Sequence, residues 1–156
     1  MVWGAIWLGG RSNLVVMDRD DNSRSGRGYT ARSYISALEK GLIPFYTPGT
    51  IFQQDNAKIH TADVTKSWFE DHGIWVEDWP PHSPDLNPIE PVWKWLKIIL
   101  FRLHPELIDI GKNESDWQYF KRCLVDAWEA IPLDLGKDRK GPDQTADRTA
   151  LCRAQS

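Results

Sequence analysis

Phe52-Gln-Gln-Asp55-Asn56-Ala-Lys-Ile-His60 and, after a short apolar segment, Trp79-Pro-Pro-His-Ser-Pro-Asp85-Leu-Asn87-Pro88-Ile-Glu90-Pro-Val-Trp93-Lys-Trp-Leu96 decide how the rest of the chain is read. Thr50 to Gln54 reads as a strand, so Asp55 falls at its C-terminal end, the edge where open α/β sheets bind ligands. Asn87-Pro88-Ile89-Glu90 reads as a helix start, with Asn87 as N-cap, Pro88 at the first helical position and Glu90 at the third, able to bond back to the cap. Each acid taken alone has an ordinary structural role, Asp55 in a strand-to-helix turn and Glu90 in a capping box. Their conjunction, with 34 residues between them, is less ordinary.

In this order and at this spacing the two motifs resemble the mariner-type superfamily of DDE transposases, a resemblance that runs from about Val2 to Pro132. A long motif matched residue by residue arises by chance far less often than a short pattern. The resemblance implies that Asp55 and Glu90 are the second and third of three catalytic, metal-holding acids. It also places Asn56, His60 and Asn87 nearby as supporting or DNA-contacting residues. Hard oxygen ligands of this kind imply Mg²⁺ or Mn²⁺. Cutting a phosphodiester with two cations about 3.5–4 Å apart requires acids converging from different elements, so the two carboxyl groups are expected roughly 4–8 Å apart without metal. The implied substrate is DNA at transposon ends and the implied oligomeric partner a full-length transposase. The implied location in a eukaryote is the nucleus.

The fold the resemblance implies is a ribonuclease-H-like mixed α/β sheet with flanking helices. In the family the first strand, with the first catalytic aspartate, lies just before Trp3-Gly4-Ala5, so this strand is expected to be missing, along with helix-turn-helix modules that precede it. A missing strand would expose a pairing edge. Asp18, Asp20 and Asp21 stand nearby but follow the second predicted strand, at the wrong place in the order. The expectation is therefore a fragment of a DDE catalytic domain that is inactive by itself; the alternative is a non-catalytic remnant that binds DNA or a transposase.

The rest of the chain fits one domain: 156 residues, 41% apolar and nine tryptophans are enough for a packed core. No apolar run approaches the roughly 18–20 residues of a membrane span and no signal peptide is evident, so a soluble intracellular protein is expected. A net charge of −3 argues against a general polyanion binder but not against a metal-dependent nuclease, whose acid cluster is offset by bound cations. Cys123 and Cys152 lie far apart without metal-ligand spacing, and His60, His72, His82 and His104 form no known zinc pattern. Reduced thiols and no zinc site follow. Nucleotide-binding loops and the Gly-x-Ser-x-Gly elbow are absent from the sequence.

Taken in order, Val2 to Leu8 reads as a buried strand, Gly9-Gly10 as a turn and Leu14 to Met17 as the hairpin partner. Asp18 to Gly28 reads as a surface loop whose Arg19, Arg24 and Arg27 are solvated. Thr30 caps a helix to about Lys40, with Gly41 as a left-handed stop. A helix from about Thr61 to His72 closes at Gly73, and Ile74 to Val76 is a strand. Pro80 to Pro88 is expected to be an ordered extended connection, because its prolines remove donors and restrict their neighbours. Trp93, Leu96, Leu100 and Leu103 form a core stripe, with Lys94, Lys97 and Arg102 on the polar side. Ser115 to Gln118 opens a last helix carrying Trp117, Phe120, Leu124, Trp128 and Ile131. Residues 133–156 lack a hydrophobic period and are expected to form a disordered, atypical tail.

Overall fold

A computed structural model describes residues 1–20, 28–78, 80, 87–132 and, as backbone, 149–155. The chain runs through β1 (Val2–Trp7), β2 (Gly10–Arg11), β3 (Val15–Val16), α1 (Ala31–Gly41), β4 (Ile51–Gln53), α2 (Asp63–Asp71), β5 (Trp75–Glu77) and α3 (Ile89–Leu103). A 3₁₀ turn (Pro105–Asp109), α4 (Glu114–Glu129) and β6 (Thr149–Gln155) complete it. The strands form one mixed sheet in the order β2-β1-β6-β4-β5, with β3 also paired to β1.

β1 shows why the sheet is covered on both faces. Its residues alternate between two cores: Trp3 and Ala5 are buried against α1 and α2, while Val2 and Ile6 pack against α3 and α4. A strand buried on both faces reads as a continuous apolar run, and Val2 to Trp7 is one. Gly4 stands on the α3/α4 side, where a Cβ would meet the Trp128 ring at 3.0 Å. β2 and β3 act as one interrupted partner strand, pairing Trp7 with Gly10 and Val2 with Val16. Gly9 makes the tight turn with φ of 80°, a region L side chains rarely adopt.

Several local expectations hold. Thr30 caps α1 by accepting from the Ser33 N–H at 3.4 Å, and Gly73 takes φ of 61° after α2. Asn87 accepts from the Ile89 N–H at 3.4 Å and Pro88 already has helical φ and ψ, so Asn87 acts as the cap although regular helix begins at Ile89. α4 differs. Its cap is Asn113, which accepts from Asp116 N–H at 2.9 Å, so the helix begins two residues before the expected Ser115 box. Gly41 also differs: it is the last helical residue, and its missing side chain makes room for the Trp3 ring instead of permitting a left-handed stop. Leu103 and Trp117, expected in core stripes, are 46% and 42% exposed.

The largest departure is at the C-terminus. Thr149–Gln155, expected to belong to a disordered tail, lies between β1 and β4, antiparallel to the first and parallel to the second. β1 is thus paired on both sides, and the exposed edge expected from a missing strand is not found there. The physical reason is tertiary. The backbone donors and acceptors of β1 and β4 supply a ladder that local composition does not reveal, and strand formation depends on such neighbours more than on intrinsic preference. Residues 133–148 lie outside the described residues, as do 81–86, so the expected order of the Pro80 to Pro88 connection falls largely outside them too.

The two sides of the molecule are fastened by long-range polar contacts. Arg11 donates from Nη1 to the Ile131 carbonyl and from Nη2 to the Glu129 carbonyl, both at 2.6 Å, which satisfies acceptors left open at the end of α4. Trp128 Nε1 donates to the Ser12 carbonyl at 2.7 Å, and its ring stacks on Trp93 at 5.4 Å. These contacts seat α3 and α4 on the hairpin.

Candidate active site

Asp55 follows β4 directly, at the C-terminal end of a strand that β5 and β6 both pair in parallel. Its Oδ1 accepts the Ala57 N–H at 3.1 Å, an Asx turn that reverses the chain toward α2. The same oxygen lies 2.6 Å from His60 Nδ1, and that nitrogen is also 3.1 Å from the Asp55 carbonyl. With Nδ1 protonated, the imidazole donates to the acid. His60 is 1% exposed while the Asp55 side chain is 21% exposed, so a buried ring fixes a carboxylate that reaches solvent.

The ring is itself held. Tyr34 of α1 packs on His60 with centroids 4.2 Å apart and donates its hydroxyl to Gln54 Oε1 at 2.5 Å. Gln54 Nε2 donates to the His60 carbonyl at 3.5 Å. Thr65 Oγ1 donates to the Ile59 carbonyl at 2.8 Å, tying the start of α2 to the same turn. The sequence gives Asp55, Asn56 and His60 as candidates but not Tyr34 and Gln54. The available signal was the alternation of β4, which puts Gln54 on the buried side with Phe52.

Asp55, Asn56 and His60 line one cleft of about 340 Å³ together with Lys66, Glu70, Glu77 and Asp78. Glu77 ends β5 beside the end of β4 and Asp78 follows it; neither was singled out from sequence. Glu90 stands in the first turn of α3, half-buried, and is not among the residues lining that cleft. Asn87, 6% exposed, sets the entry into the same turn. Asp18 pairs with Lys40 at 3.3 Å, and Asp20 accepts from the Thr30 hydroxyl at 2.9 Å; Asp21 lies outside the described residues. Among the described residues, no group of three metal-ligating side chains includes Asp55 or Glu90.

Residues 12–110 match the model of the DDE superfamily endonuclease domain, a span that contains both Asp55 and Glu90. The chain belongs to this family. It is similar to the Tc3 transposase of Caenorhabditis elegans, at 31% identity over 85% of this chain and 37% of that protein. It is also similar to the Tc1 transposase of the same organism, at 38% identity over 56% of this chain and 29% of that protein, and to the Tcb2 transposase of Caenorhabditis briggsae, at 38% over 54% and 28%. The matched parts span about a third of the length of these relatives. DDE superfamily endonucleases depend on divalent metal, and the hard carboxylate donors at Asp55 and Glu90 suit such an ion. No helix among the described residues is long and apolar enough to cross a membrane.

Proposed function

We propose that residues 1–132 are part of a ribonuclease-H-like DDE catalytic domain in which Asp55 and Glu90 hold Mg²⁺ or Mn²⁺ for cleavage and strand transfer of DNA at transposon ends. The observation that carries this reading is the placement of Asp55 at the C-terminal end of β4, with its carboxylate held 2.6 Å from the buried His60. An antiparallel β1/β2/β3 unit joined in one sheet to parallel β4 and β5, with helices on both faces, supports the ribonuclease-H-like fold.

When bound, divalent cations between such acids polarise the phosphate and activate the attacking oxygen. The chain's own residues supply the positioning. His60 donates to Asp55 and so limits its rotamers, and Tyr34, packed against the ring, prevents it from swinging away. Glu90, fixed by the Asn87 cap and the rigid Pro88, presents its carboxylate from a helix start, where negative charge is favoured. Asn56, exposed beside Asp55, would supply a contact to the DNA backbone.

A net charge of −3 leaves affinity for DNA low and dependent on salt, so the purified chain is expected not to cut or join DNA by itself. The alternative role is that of a non-catalytic partner that binds DNA or a full-length transposase in the nucleus. Incubation with a transposon-end duplex and Mn²⁺, with products resolved on a gel, tests the inactivity. Nicking that disappears in both Asp55→Ala and Glu90→Ala would overturn it and would require a third ligand outside the pair.

A further inference from the structure

A second cluster of ligating side chains lies where α3 ends and α4 passes beneath it. His104 closes α3 with φ of −129° and ψ of 66°, and Pro105 opens the 3₁₀ turn that carries Glu106. Cys123 faces them from the middle of α4, with 1% exposure. One ligand atom from each of His104, Glu106 and Cys123 lies within 4.8 Å of the others. Neither the DDE match nor the catalytic reading assigns a role to this set, and the match ends at residue 110, before Cys123.

We propose that His104, Glu106 and Cys123 form a binding site for a borderline transition-metal ion, with Zn²⁺ the best fit. The donors are one imidazole nitrogen, one thiolate and one carboxylate oxygen, a mixed set that selects zinc over hard Mg²⁺ or Mn²⁺. Ligand atoms around a tetrahedral zinc stand about 3.3–3.8 Å apart, given bonds of about 2.0–2.3 Å. The observed spacing therefore closes with a small movement, chiefly of Glu106, whose side chain is 52% exposed.

The histidine points to the same use. Its Nδ1 is 3.5 Å from Glu106 Oε1, on the side of the cluster, and its Nε2 is 3.6 Å from Asp126 Oδ2. The Nε2 atom is buried without a hydrogen bond. A metal on Nδ1 leaves Nε2–H to turn toward Asp126, the carboxylate–histidine–metal arrangement that fixes the tautomer and raises ligand basicity. A water would complete the coordination, while Tyr119, whose hydroxyl donates to Glu106 Oε1 at 2.5 Å, stays protonated and orients that carboxylate. Loading releases the Cys123 thiol proton to solvent as the sulfur–metal bond forms. The ion would staple the end of α3 to α4.

The test titrates the chelator-treated full chain with Co²⁺ and then Zn²⁺. The expected result is a thiolate-to-cobalt charge-transfer band with tetrahedral visible bands, displaced by Zn²⁺, and a thermal midpoint raised by roughly 5–10 °C at about a hundredfold zinc excess over Kd. The charge-transfer band should vanish in Cys123→Ser, weaken at least about tenfold in affinity in His104→Asn and Glu106→Gln, and persist in Cys152→Ser. Should Cys123→Ser fail to fold, the two partly exposed positions carry the decision. A band that survives His104→Asn and Glu106→Gln at unchanged affinity, or follows Cys152, or never forms, overturns the proposal.

Discussion

Trp128→Ala should cost about 3–5 kcal/mol, the range for truncating a buried tryptophan, out of a total stability of about 5–15 kcal/mol for a domain of ordinary stability. The indole is 1% exposed, stacks on Trp93, fills the space above Gly4 and donates from Nε1 to the Ser12 carbonyl. Truncation opens a cavity between α4 and β1 and removes the donor from a buried acceptor, and both effects have the same sign. Trp117, 42% exposed on the same helix, is the control, and its alanine variant should lose less than about 1 kcal/mol. Urea unfolding of both variants checks the pair. Similar losses at the two positions would contradict the placement of Trp128 at the junction of sheet and helices.

Gly41→Ala should destabilise the protein even though alanine is the better helix former. Propensity alone predicts a gain of about 1 kcal/mol at a helical glycine. The new Cβ would stand 2.2 Å from Cζ3 and 2.5 Å from Cε3 of Trp3, a ring that is 0% exposed and has no free direction in which to move. Overpacking of this kind costs about 1–3 kcal/mol, occasionally more, so sterics outweigh propensity and the net change is a loss. A Trp3→Leu background should relieve part of the clash. A thermal midpoint that rises in Gly41→Ala would show that α1 and β1 are further apart than described.

The sequence was most readable where local chemistry and tertiary packing agree. The unbroken apolar run of β1, the Thr30 cap, Gly73 after α2 and the Trp93, Leu96 and Leu100 stripe each follow from period or capping rules, and each is found. At Gly41 the residue was read as backbone punctuation, but the ring that needs its space comes from Trp3, far away in sequence. At α4 the expected Ser115 box is passed over, and Asn113, two residues earlier, caps the helix because its amide oxygen reaches the Asp116 N–H. β6 was illegible because its stabilising partners, β1 and β4, are long-range.

The candidate site divides along the same line. Asp55, His60 and their hydrogen bond are local, five residues apart, and their association is visible in a short motif. The Tyr34 and Gln54 support arises only when α1 lies against the end of β4. The His104, Glu106 and Cys123 cluster is absent from any spacing rule because its thiol comes from the following helix.

The central claim is that Asp55 and Glu90 jointly hold a divalent cation, and Mn²⁺ binding followed by electron paramagnetic resonance tests it directly. Mn²⁺ prefers oxygen ligands, so the signal reports the acid pair and not the thiol-containing cluster. The expected result is one weakly bound ion in the parent chain, with affinity reduced at least about tenfold in Asp55→Ala and in Glu90→Ala, since losing an outer-sphere partner alone typically costs about 10–100-fold. Affinity unchanged by either substitution would contradict the account.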